Sequence, residues 1–294
     1  MPNAASTTAL IGFGEAGMAF AEAFDPSLRL LAFDIKTLDP ATAAAKREDY
    51  DGLSVAGTET LEEAVAAAEL LISVVTADQA IAAAQQAAAF MSPGAFYCDF
   101  NSVAPATKCR AAAIIEKAGG HYADVAVMAP VLPLRLAVPL LVSGPRAGEA
   151  CARLRSIGFA PGEAGDEIGR ASTIKMLRSV MVKGIEALSA ECFLASWRAG
   201  VLEEVAASLD ASWPGVDWAA KADYNLDRMM VHGLRRAAEM DEVVRTLEDL
   251  GVPSGMAAAT AAAQRRIGAM ALEPADGLEA KAKAVLSRQR QEAA

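Results

Sequence analysis

A glycine-rich segment directly after the first apolar run of the chain has the spacing of a dinucleotide-binding loop. The segment reads Gly12-Phe13-Gly14-Glu15-Ala16-Gly17. Gly12 would allow a tight turn, Gly14 would let the backbone approach a pyrophosphate, and Gly17 would let a helix pack closely on a strand. The sequence therefore predicts that residues 12–17 bind the phosphates of a dinucleotide cofactor. A glycine turn without a ligand is the alternative.

Asp34 ends the second predicted strand and supports this interpretation. It follows Gly12 by about 20 residues, the spacing at which a carboxylate accepts hydrogen bonds from the adenosine ribose. Its charge would repel a 2′-phosphate, which favours NAD over NADP as the cofactor. Lys36, two residues further on, could attract that same phosphate, so NADP remains the alternative.

Lys175 is the candidate general base, on a helix predicted over Glu167–Ala199. A lysine can remove a hydroxyl proton only if its pKa falls toward neutrality, which burial and nearby positive charge would cause. The N-terminal end of the helix dipole, with Arg178 or Lys183 close by, would disfavour another cation at this place. From spacing alone, a lysine on a helix is more often a solvated surface residue than a catalytic one.

The elements that must position these residues change character along the chain. Up to about residue 160, short apolar runs alternate with alanine-rich helical stretches, which indicates a parallel sheet covered by crossover helices. The predicted strands are Thr7–Ile11, Leu28–Phe33, Leu53–Ala56, Leu70–Val75, Ala95–Cys98, Tyr122–Val127 and Leu140–Val142. We expect an α/β fold: a Rossmann-type, doubly wound, mostly parallel sheet followed by an all-helical C-terminal domain.

The change to long helical stretches sets the predicted domain boundary. Residues 1–165 would form the NAD(P)-binding domain and residues 166–294 an all-α domain for substrate binding and dimerisation, joined by the long helix that carries Lys175. One face of that helix is apolar at steps of three and four and is expected to face a core. This stripe consists of Ile174, Leu177, Met181, Ile185, Leu188 and Cys192.

Composition and charge narrow the class of partner. The 294 residues carry 27 basic and 37 acidic side chains, a formal charge of -10, so a nucleic-acid partner is not expected. The four cysteines are widely spaced and only two histidines are present, which fits neither a metal site nor a disulfide framework. The most apolar stretch, Val125–Val142, is interrupted by prolines, and no secretory signal is recognisable, so we expect a cytoplasmic protein without a membrane partner. A small molecule is the expected ligand.

Together with the glycine loop, three further segments resemble the β-hydroxyacid dehydrogenase family, which includes 3-hydroxyisobutyrate and 6-phosphogluconate dehydrogenases. They are Thr76-Ala-Asp78, Asp99-Phe-Asn101-Ser102-Val-Ala-Pro105 and Gly165-Asp-Glu-Ile-Gly169-Arg-Ala-Ser-Thr-Ile-Lys175. The resemblance implies that Thr76 passes over the nicotinamide ribose and that Asn101 and Ser102 contact the nicotinamide end and the substrate. It also implies that Lys175 is catalytic and that the protein is a homodimer. The stretch Arg235–Val243 resembles a bacterial branch with a C-terminal domain of unknown function.

Two departures from the family pattern affect substrate binding. Where the family carries Asp-Ala-Pro-Val-Ser-Gly-Gly, this chain reads Asp124-Val-Ala-Val-Met128-Ala-Pro130. Met128 cannot donate a hydrogen bond as serine does, and Pro130 has no N–H group. Ser179 stands where the family has an asparagine. The candidate substrate contacts in these two segments are Met128, Arg178 and Ser179. His232, beside Arg228, Arg235 and Arg236, could contact the substrate from the second domain, but a solvated helix face is the commoner explanation for such a cluster.

These residues predict an NAD(P)-dependent oxidoreductase that transfers hydride between nicotinamide and a small hydroxylated substrate, such as a β-hydroxyacid, with Lys175 as general acid and base. Two alternatives use the same fold. Imine reduction is suggested by the Val-Met-Ala-Pro segment at residues 127–130, and a non-catalytic NAD(P)-sensing protein is suggested by the family positions that this chain has lost.

Overall fold

A computed structural model describes residues 7–292 and divides the chain into two compact units. One unit ends at Lys175 and the other begins at Met176. The predicted boundary after residue 165 lies shortly before this division. The first turn of the long helix belongs to the first unit because the backbone N–H groups of Ala171 and Ser172 donate to side chains on the sheet.

The first unit is built on an eight-stranded sheet with the order β3-β2-β1-β4-β5-β6-β7-β8. All neighbouring strands are parallel except β6 and β7. This confirms the predicted Rossmann-type, mostly parallel sheet. The strands are β1 (Thr8–Ile11), β2 (Leu30–Phe33), β3 (Ala56–Gly57), β4 (Leu70–Ser73), β5 (Phe96–Asp99), β6 (His121–Val127), β7 (Leu140–Ser143) and β8 (Pro161–Gly165).

Helices cover both faces of this sheet. They are α1 (Glu15–Ala21), α2 (Ala43–Gly52), α3 (Leu61–Val65), α4 (Ala80–Phe90), α5 (Pro105–Lys117) and α6 (Ala147–Ser156). Alternate strand residues enter two separate cores: Leu10 and Ile72 lie in one, and Ala9 and Leu71 in the other. Strands buried on both faces read as continuous apolar runs, which is why the sequence made them recognisable.

Two strands differ from the sequence-based expectation. The strand expected at Leu53–Ala56 is a two-residue strand at Ala56–Gly57, and both of its residues are exposed. Strand β8 was not predicted, because its sequence, Pro-Gly-Glu-Ala-Gly, consists of residues with low strand propensity. The extended conformation of β8 comes from its hydrogen bonds with β7 rather than from the propensity of its own residues.

The second unit contains helices only. Helix α7 (Arg170–Ala199) enters it from the first unit, and α8 (Leu202–Ser212), α9 (Trp218–Asp249), α10 (Gly255–Ala269) and α11 (Leu278–Glu292) follow. The prediction of a helical C-terminal region is confirmed, with the long helix beginning at Arg170 rather than at Glu167. Within residues 7–292, none of these helices combines the length and the apolar character that a membrane span requires.

The apolar stripe of α7 does not face a core, contrary to the prediction. Met181 is 64% exposed and Leu188 is 56% exposed, Ile174, Leu177 and Cys192 are exposed as well, and Ile185 is half-buried. The buried face of α7 is a different one, which also follows steps of three and four. It consists of Ser172, Met176, Ser179, Lys183, Glu186, Ala190 and Phe193. Because this face contains polar residues, apolar periodicity does not predict its burial.

Candidate cofactor and active site

Two glycines of the loop after β1 are required by the protein's own packing. Gly12 has a φ of +96°, and a Cβ atom there would lie 2.7 Å from the Val74 carbonyl oxygen. A Cβ atom at Gly17 would lie 2.5 Å from the carbonyl oxygen of Gly12. Such contacts are shorter than atoms tolerate, so the tight turn beside Val74 and the close approach of α1 to the loop after β1 need glycine at both positions.

Gly14 is different, because packing does not explain it. A Cβ atom built there has no heavy atom of the described residues within 4 Å, its chain neighbours aside. Gly14 has extended backbone torsions, is exposed and precedes α1 as its N-cap. A glycine here suits the N-cap of α1, and it also lets the backbone come close to a ligand such as the pyrophosphate of a dinucleotide. The loop therefore fits a dinucleotide cofactor.

Asp34 fastens the glycine loop to the end of β2. Its Oδ2 atom accepts a hydrogen bond of 2.7 Å from the N–H of Phe13, and its Oδ1 atom accepts one of 2.9 Å from the N–H of Lys36. The carboxylate is buried, and each oxygen keeps a second lone pair that a ribose hydroxyl could use. The Lys36 side chain is exposed at the same rim.

Lys46, on α2, supports the loop from the other side and was not predicted. Its Nζ atom donates to the carbonyl oxygen of Phe13 at 2.7 Å and lies 2.5 Å from Asp49 Oδ2. The Phe13 ring packs on Tyr50 with ring centroids 4.8 Å apart. Burial and the neighbouring Asp34 raise the pKa of Tyr50, so its phenol stays neutral. Phe13 thus contributes to the site by holding the loop.

A pocket of about 250 Å³ lies between the glycine loop and the carboxyl ends of β2 and β4. Open α/β sheets bind ligands at this edge, where the strand order reverses between β1 and β4. The polar residues of the pocket come from three separate segments, which the fold brings to one place. Among its lining residues are Gly12, Gly14, Asp34, Lys36, Thr76 and Gln79. Glu15, exposed, and Ala16, half-buried, begin α1 beside it.

Asn101 closes the gap between the ends of β4 and β5. Its Oδ1 atom accepts a hydrogen bond of 2.7 Å from the Val75 N–H, and its Nδ2 atom donates to the Ser73 hydroxyl at 3.0 Å. The side chain is 3% exposed. Asn101 therefore fixes the segment that leads to Thr76 and the segment that presents Ser102, rather than presenting a free amide to solvent.

Ser102 and Lys175 meet, although 73 residues separate them in the sequence. The Nζ atom of Lys175 donates a short hydrogen bond to Ser102 Oγ, and both side chains are half-buried. Lys175 lies in the second turn of α7, and Ser102 lies three residues beyond the end of β5. An amine and a hydroxyl are therefore paired at the edge of the sheet that carries the glycine loop.

The start of α7 is anchored on the sheet by side chains from two strands. The N–H and the hydroxyl of Ser172 donate to the carboxylate of Asp124 on β6 at 2.9 and 2.6 Å. The N–H of Ala171 donates to Ser143 Oγ on β7 at 3.0 Å. These contacts satisfy N–H groups that a helix start leaves open. They also fix the position of Lys175, which follows Ser172 by one turn.

The segment after β6 offers few hydrogen-bond donors. The N–H of Met128 donates to the carbonyl oxygen of Pro139 at 2.9 Å, and Pro130 is exposed. The backbone N–H of Met128 is thus used within the fold, and neither side chain can donate. The segment lacks the serine and glycine donors of the family pattern.

The other expected substrate residues lie in the second unit. Arg178 is exposed and Ser179 is buried on α7, and His232 is half-buried on α9. Arg236, the neighbour of Arg235, is not part of a solvated face: its guanidinium is buried and binds Glu186 on α7. The contribution of Arg178, Ser179 and His232 to the site remains a prediction.

Side chains of the types that bind metal ions are spread over the part of the chain that the structure describes. Residues 7–292 contain no group of three or more His, Cys, Asp or Glu side chains placed to hold an ion. The four cysteines are free thiols, and burial raises the pKa of Cys98 to about 12. This thiol is therefore not activated as a nucleophile.

Two family models match different parts of the chain. Residues 7–148 match the NAD binding domain of 6-phosphogluconate dehydrogenase, and residues 197–267 match a domain of unknown function. The first match contains the glycine loop, Asp34 and Ser102. The second falls in the helical unit.

Several solved structures resemble the chain over most of its length. A conserved hypothetical protein from Sinorhizobium meliloti 1021 is 36% identical over 97% of each chain, with a TM-score of 0.76. Conserved protein MTH1747, described as structurally similar to 3-hydroxyacid dehydrogenases, is 28% identical over 89% of this chain and 97% of its own, with a TM-score of 0.67. A Mycobacterium tuberculosis 3-hydroxyisobutyrate dehydrogenase shares the fold at 17% identity, covering 96% of this chain and 99% of its own with a TM-score of 0.72.

Proposed function

The chain belongs to the β-hydroxyacid dehydrogenase family, and within it we propose that the protein transfers hydride between NAD(P) and a small hydroxylated substrate, such as a β-hydroxyacid. The proposal assigns Lys175 as the general acid and base. It assigns Ser102 as the hydroxyl that contacts the substrate oxygen.

The hydrogen bond between Lys175 and Ser102 carries this proposal. It brings an amine next to a hydroxyl at the carboxyl ends of the strands, the edge at which Gly14 leaves room for a dinucleotide. A proton acceptor and a hydroxyl at this edge are what the oxidation of an alcohol requires of the protein. Half-burial of Lys175 keeps its amine within reach of a bound substrate while limiting its hydration.

The residues of this chain would then act as follows. NAD(P), when bound, supplies the hydride acceptor. Lys175 in its neutral form removes the proton of the substrate hydroxyl as the C–H bond breaks and a carbonyl group forms. The Ser102 hydroxyl accepts a hydrogen bond from Lys175 and donates its own proton toward the substrate oxygen. In the reverse direction the Lys175 ammonium protonates the developing alkoxide.

Asp34 supports NAD as the preferred cofactor. Its carboxylate is fixed by two backbone N–H groups and lines the pocket beside the glycine loop, where a 2′-phosphate would approach a buried negative charge. Lys36 lies at the same rim and is exposed, so its attraction for that phosphate is weakened by solvent.

The test is a panel of hydroxyacids, polyols and cyclic imines with NAD and NADP in both directions, read by the absorbance of reduced nicotinamide. Lys175→Met should lower kcat about 10²–10⁴-fold, the typical contribution of general acid and base catalysis. Cofactor affinity should remain unchanged. Lys117→Met is the matched control, because Lys117 is an exposed lysine at the end of α5 in the same unit. Full turnover by Lys175→Met would refute the assignment.

Imine reduction is the second candidate, and the Met128 segment favours it. This segment lacks side-chain donors for a carboxylate, and its Met128 N–H already binds the Pro139 carbonyl. Oxidation of NAD(P)H with cyclic imines, in the absence of alcohol oxidation, would select it. Tight cofactor binding without turnover on any member of the panel would instead indicate a non-catalytic NAD(P)-sensing role.

A further inference from the structure

Lys108 lies in the interior of the first unit and is 0% exposed. It belongs to α5, and the sequence analysis did not single it out. Its Nζ atom donates to the carbonyl oxygen of Asp99 at 2.6 Å, lies 2.9 Å from Asp99 Oδ1, and lies 3.4 Å from Asp124 Oδ1. An ammonium has three protons to donate, and these three oxygen atoms can accept all of them.

The two carboxylates that Lys108 joins are direct neighbours on the sheet. Asp99 on β5 is the register partner of Asp124 on β6, and both are fully buried. Like charges opposite each other on adjacent strands repel, and the repulsion grows when water is excluded. Lys108 makes this arrangement possible, because its charge lies between the two carboxylates.

Each of these carboxylates also binds a residue close in sequence to Ser102 or to Lys175. Asp99 Oδ1 accepts a hydrogen bond of 2.9 Å from the N–H of Asn101, the residue directly before Ser102. Asp124 accepts the two hydrogen bonds from Ser172 that anchor the first turn of α7, one turn before Lys175. One side chain therefore connects the backbone that carries the hydroxyl with the helix that carries the amine.

The Oδ2 atom of each carboxylate accepts a further hydrogen bond from a side chain on the sheet. Tyr122 donates its phenol proton to Asp99 Oδ2 at 2.7 Å, and Ser143 donates to Asp124 Oδ2 at 3.3 Å. Burial and the two nearby carboxylates raise the pKa of Tyr122 well above its ordinary value, so the phenol remains a donor. The network leaves Asp99 and Asp124 little freedom to move, as expected of a buried polar network that fixes geometry.

We propose that Lys108 is a positioning residue: by binding Asp99 and Asp124 together, it sets the separation between Ser102 Oγ and Lys175 Nζ. Lys108 does not touch the reacting atoms, and its effect passes through the two strand ends. The expected loss of turnover on replacing Lys108 rests on the proposed function. The expected change in the surroundings of the Lys175 amine does not.

The test uses Lys108→Met, which keeps an unbranched side chain only one atom shorter and removes the charged amine. Lys117→Met, on the same helix but exposed, is the matched control. The first measurement needs no substrate: trace acetylation with acetic anhydride across a pH series, with peptide mass spectrometry, reports the titration of the Lys175 amine. We expect the midpoint and the extent of Lys175 labelling to change in Lys108→Met and to remain unchanged in Lys117→Met.

The second measurement is turnover. Misplacing a reacting group by about 1 Å can cost about 10²-fold in rate, so kcat should fall by that order in Lys108→Met while the affinity for NAD(P) stays within about twofold. If the wild-type protein shows no hydride transfer, the proposed function fails while the labelling experiment still decides the role of Lys108. If Lys175→Met abolishes turnover and Lys108→Met leaves labelling and kcat unchanged, only the positioning proposal fails.

A milder variant covers the case in which Lys108→Met does not fold. Ser172→Ala removes the hydroxyl hydrogen bond to Asp124 and leaves all three buried charges paired. It removes one of the two hydrogen bonds that join Asp124 to the first turn of α7 and leaves the one from the Ser172 N–H in place, so the labelling profile of Lys175 should change here too, by less than in Lys108→Met. An unchanged profile in folded Ser172→Ala overturns the proposal.

Discussion

At the scale of single residues, the three glycines of the loop after β1 show that one spacing pattern can have two physical causes. Gly12 and Gly17 are needed because the Val74 and Gly12 carbonyl groups leave no room for a side chain. Gly14 has room for a Cβ atom, so packing within the described residues does not require glycine there, and we expect a ligand to use that room. The spacing predicted a role for each glycine; the contacts account for Gly12 and Gly17, and the ligand-binding role of Gly14 stays a prediction.

This difference predicts opposite phenotypes for two alanine substitutions. Gly17→Ala should lower the free energy of unfolding by about 1–3 kcal/mol or more, because its Cβ atom overlaps the Gly12 carbonyl oxygen. Gly14→Ala should change stability by less than about 1 kcal/mol, the scale of an N-cap substitution, while weakening cofactor binding. Urea unfolding and a fluorescence titration with NADH measure the two effects. Equal cofactor affinity in wild type and Gly14→Ala would contradict the assignment.

At the scale of elements, α7 shows how polar residues can mark a buried face. Lys183 and Glu186 on this face are paired with Glu239 and Arg236 on α9. A buried charge is tolerated when its partner is in place, so these positions belong to the core despite their polarity. Apolar periodicity predicted burial of the neighbouring face instead, and most of that face is exposed to solvent.

The crossing of α9 and α10 gives a prediction at this scale. A Cβ atom at Gly233 would lie 2.5 Å from the Gln264 carbonyl oxygen and 2.8 Å from the Gly268 Cα atom. Gly233→Ala should therefore destabilise the protein by about 1–3 kcal/mol or more through overpacking of two backbones. Gly184→Ala, inside α7 with its nearest contact at 4.0 Å, should be neutral or stabilising by up to about 1 kcal/mol. Thermal and urea unfolding test both, and equal stability losses would contradict this account.

At the scale of the whole molecule, we expect a second copy of the chain to cover the exposed stripe of α7. Leu177, Met181 and Leu188 present a row of large apolar side chains at helical spacing. Contiguous apolar surface of this kind usually marks an interface. The family resemblance implies a homodimer, and a shared stripe would lie on the symmetry axis of such a pair.

We therefore expect the wild-type protein to sediment as a dimer at micromolar concentration and Met181→Glu to sediment as a monomer. The reason is that two glutamates would be buried against an apolar surface without partners. Ala207→Glu on α8, also at an exposed position, is the control and should leave the dimer intact. Sedimentation equilibrium measures the result. A wild-type monomer, or a dimer that Met181→Glu leaves unchanged, would exclude this interface.

The sequence by itself determined the features that depend on residues close together in the chain. The spacing of Gly12, Gly14 and Gly17, the strand ending at Asp34, and the parallel sheet followed by helices could all be predicted. Backbone conformation and side-chain periodicity act over a few residues, so their signals are local. The family resemblance assigned Ser102 and Lys175 to one site, and their hydrogen bond is seen only in the structure.

Only the tertiary structure decided which polar groups meet and which helix face is buried. Asp99, Lys108 and Asp124 come from β5, α5 and β6, and nothing local distinguishes a fully buried lysine from a solvated one in a helix rich in alanine. The apolar stripe of α7 predicted burial, yet burial depends on the elements that pack against a face. The partners of Lys183 and Glu186 lie about 50 residues away along the chain, beyond the range of any helical period.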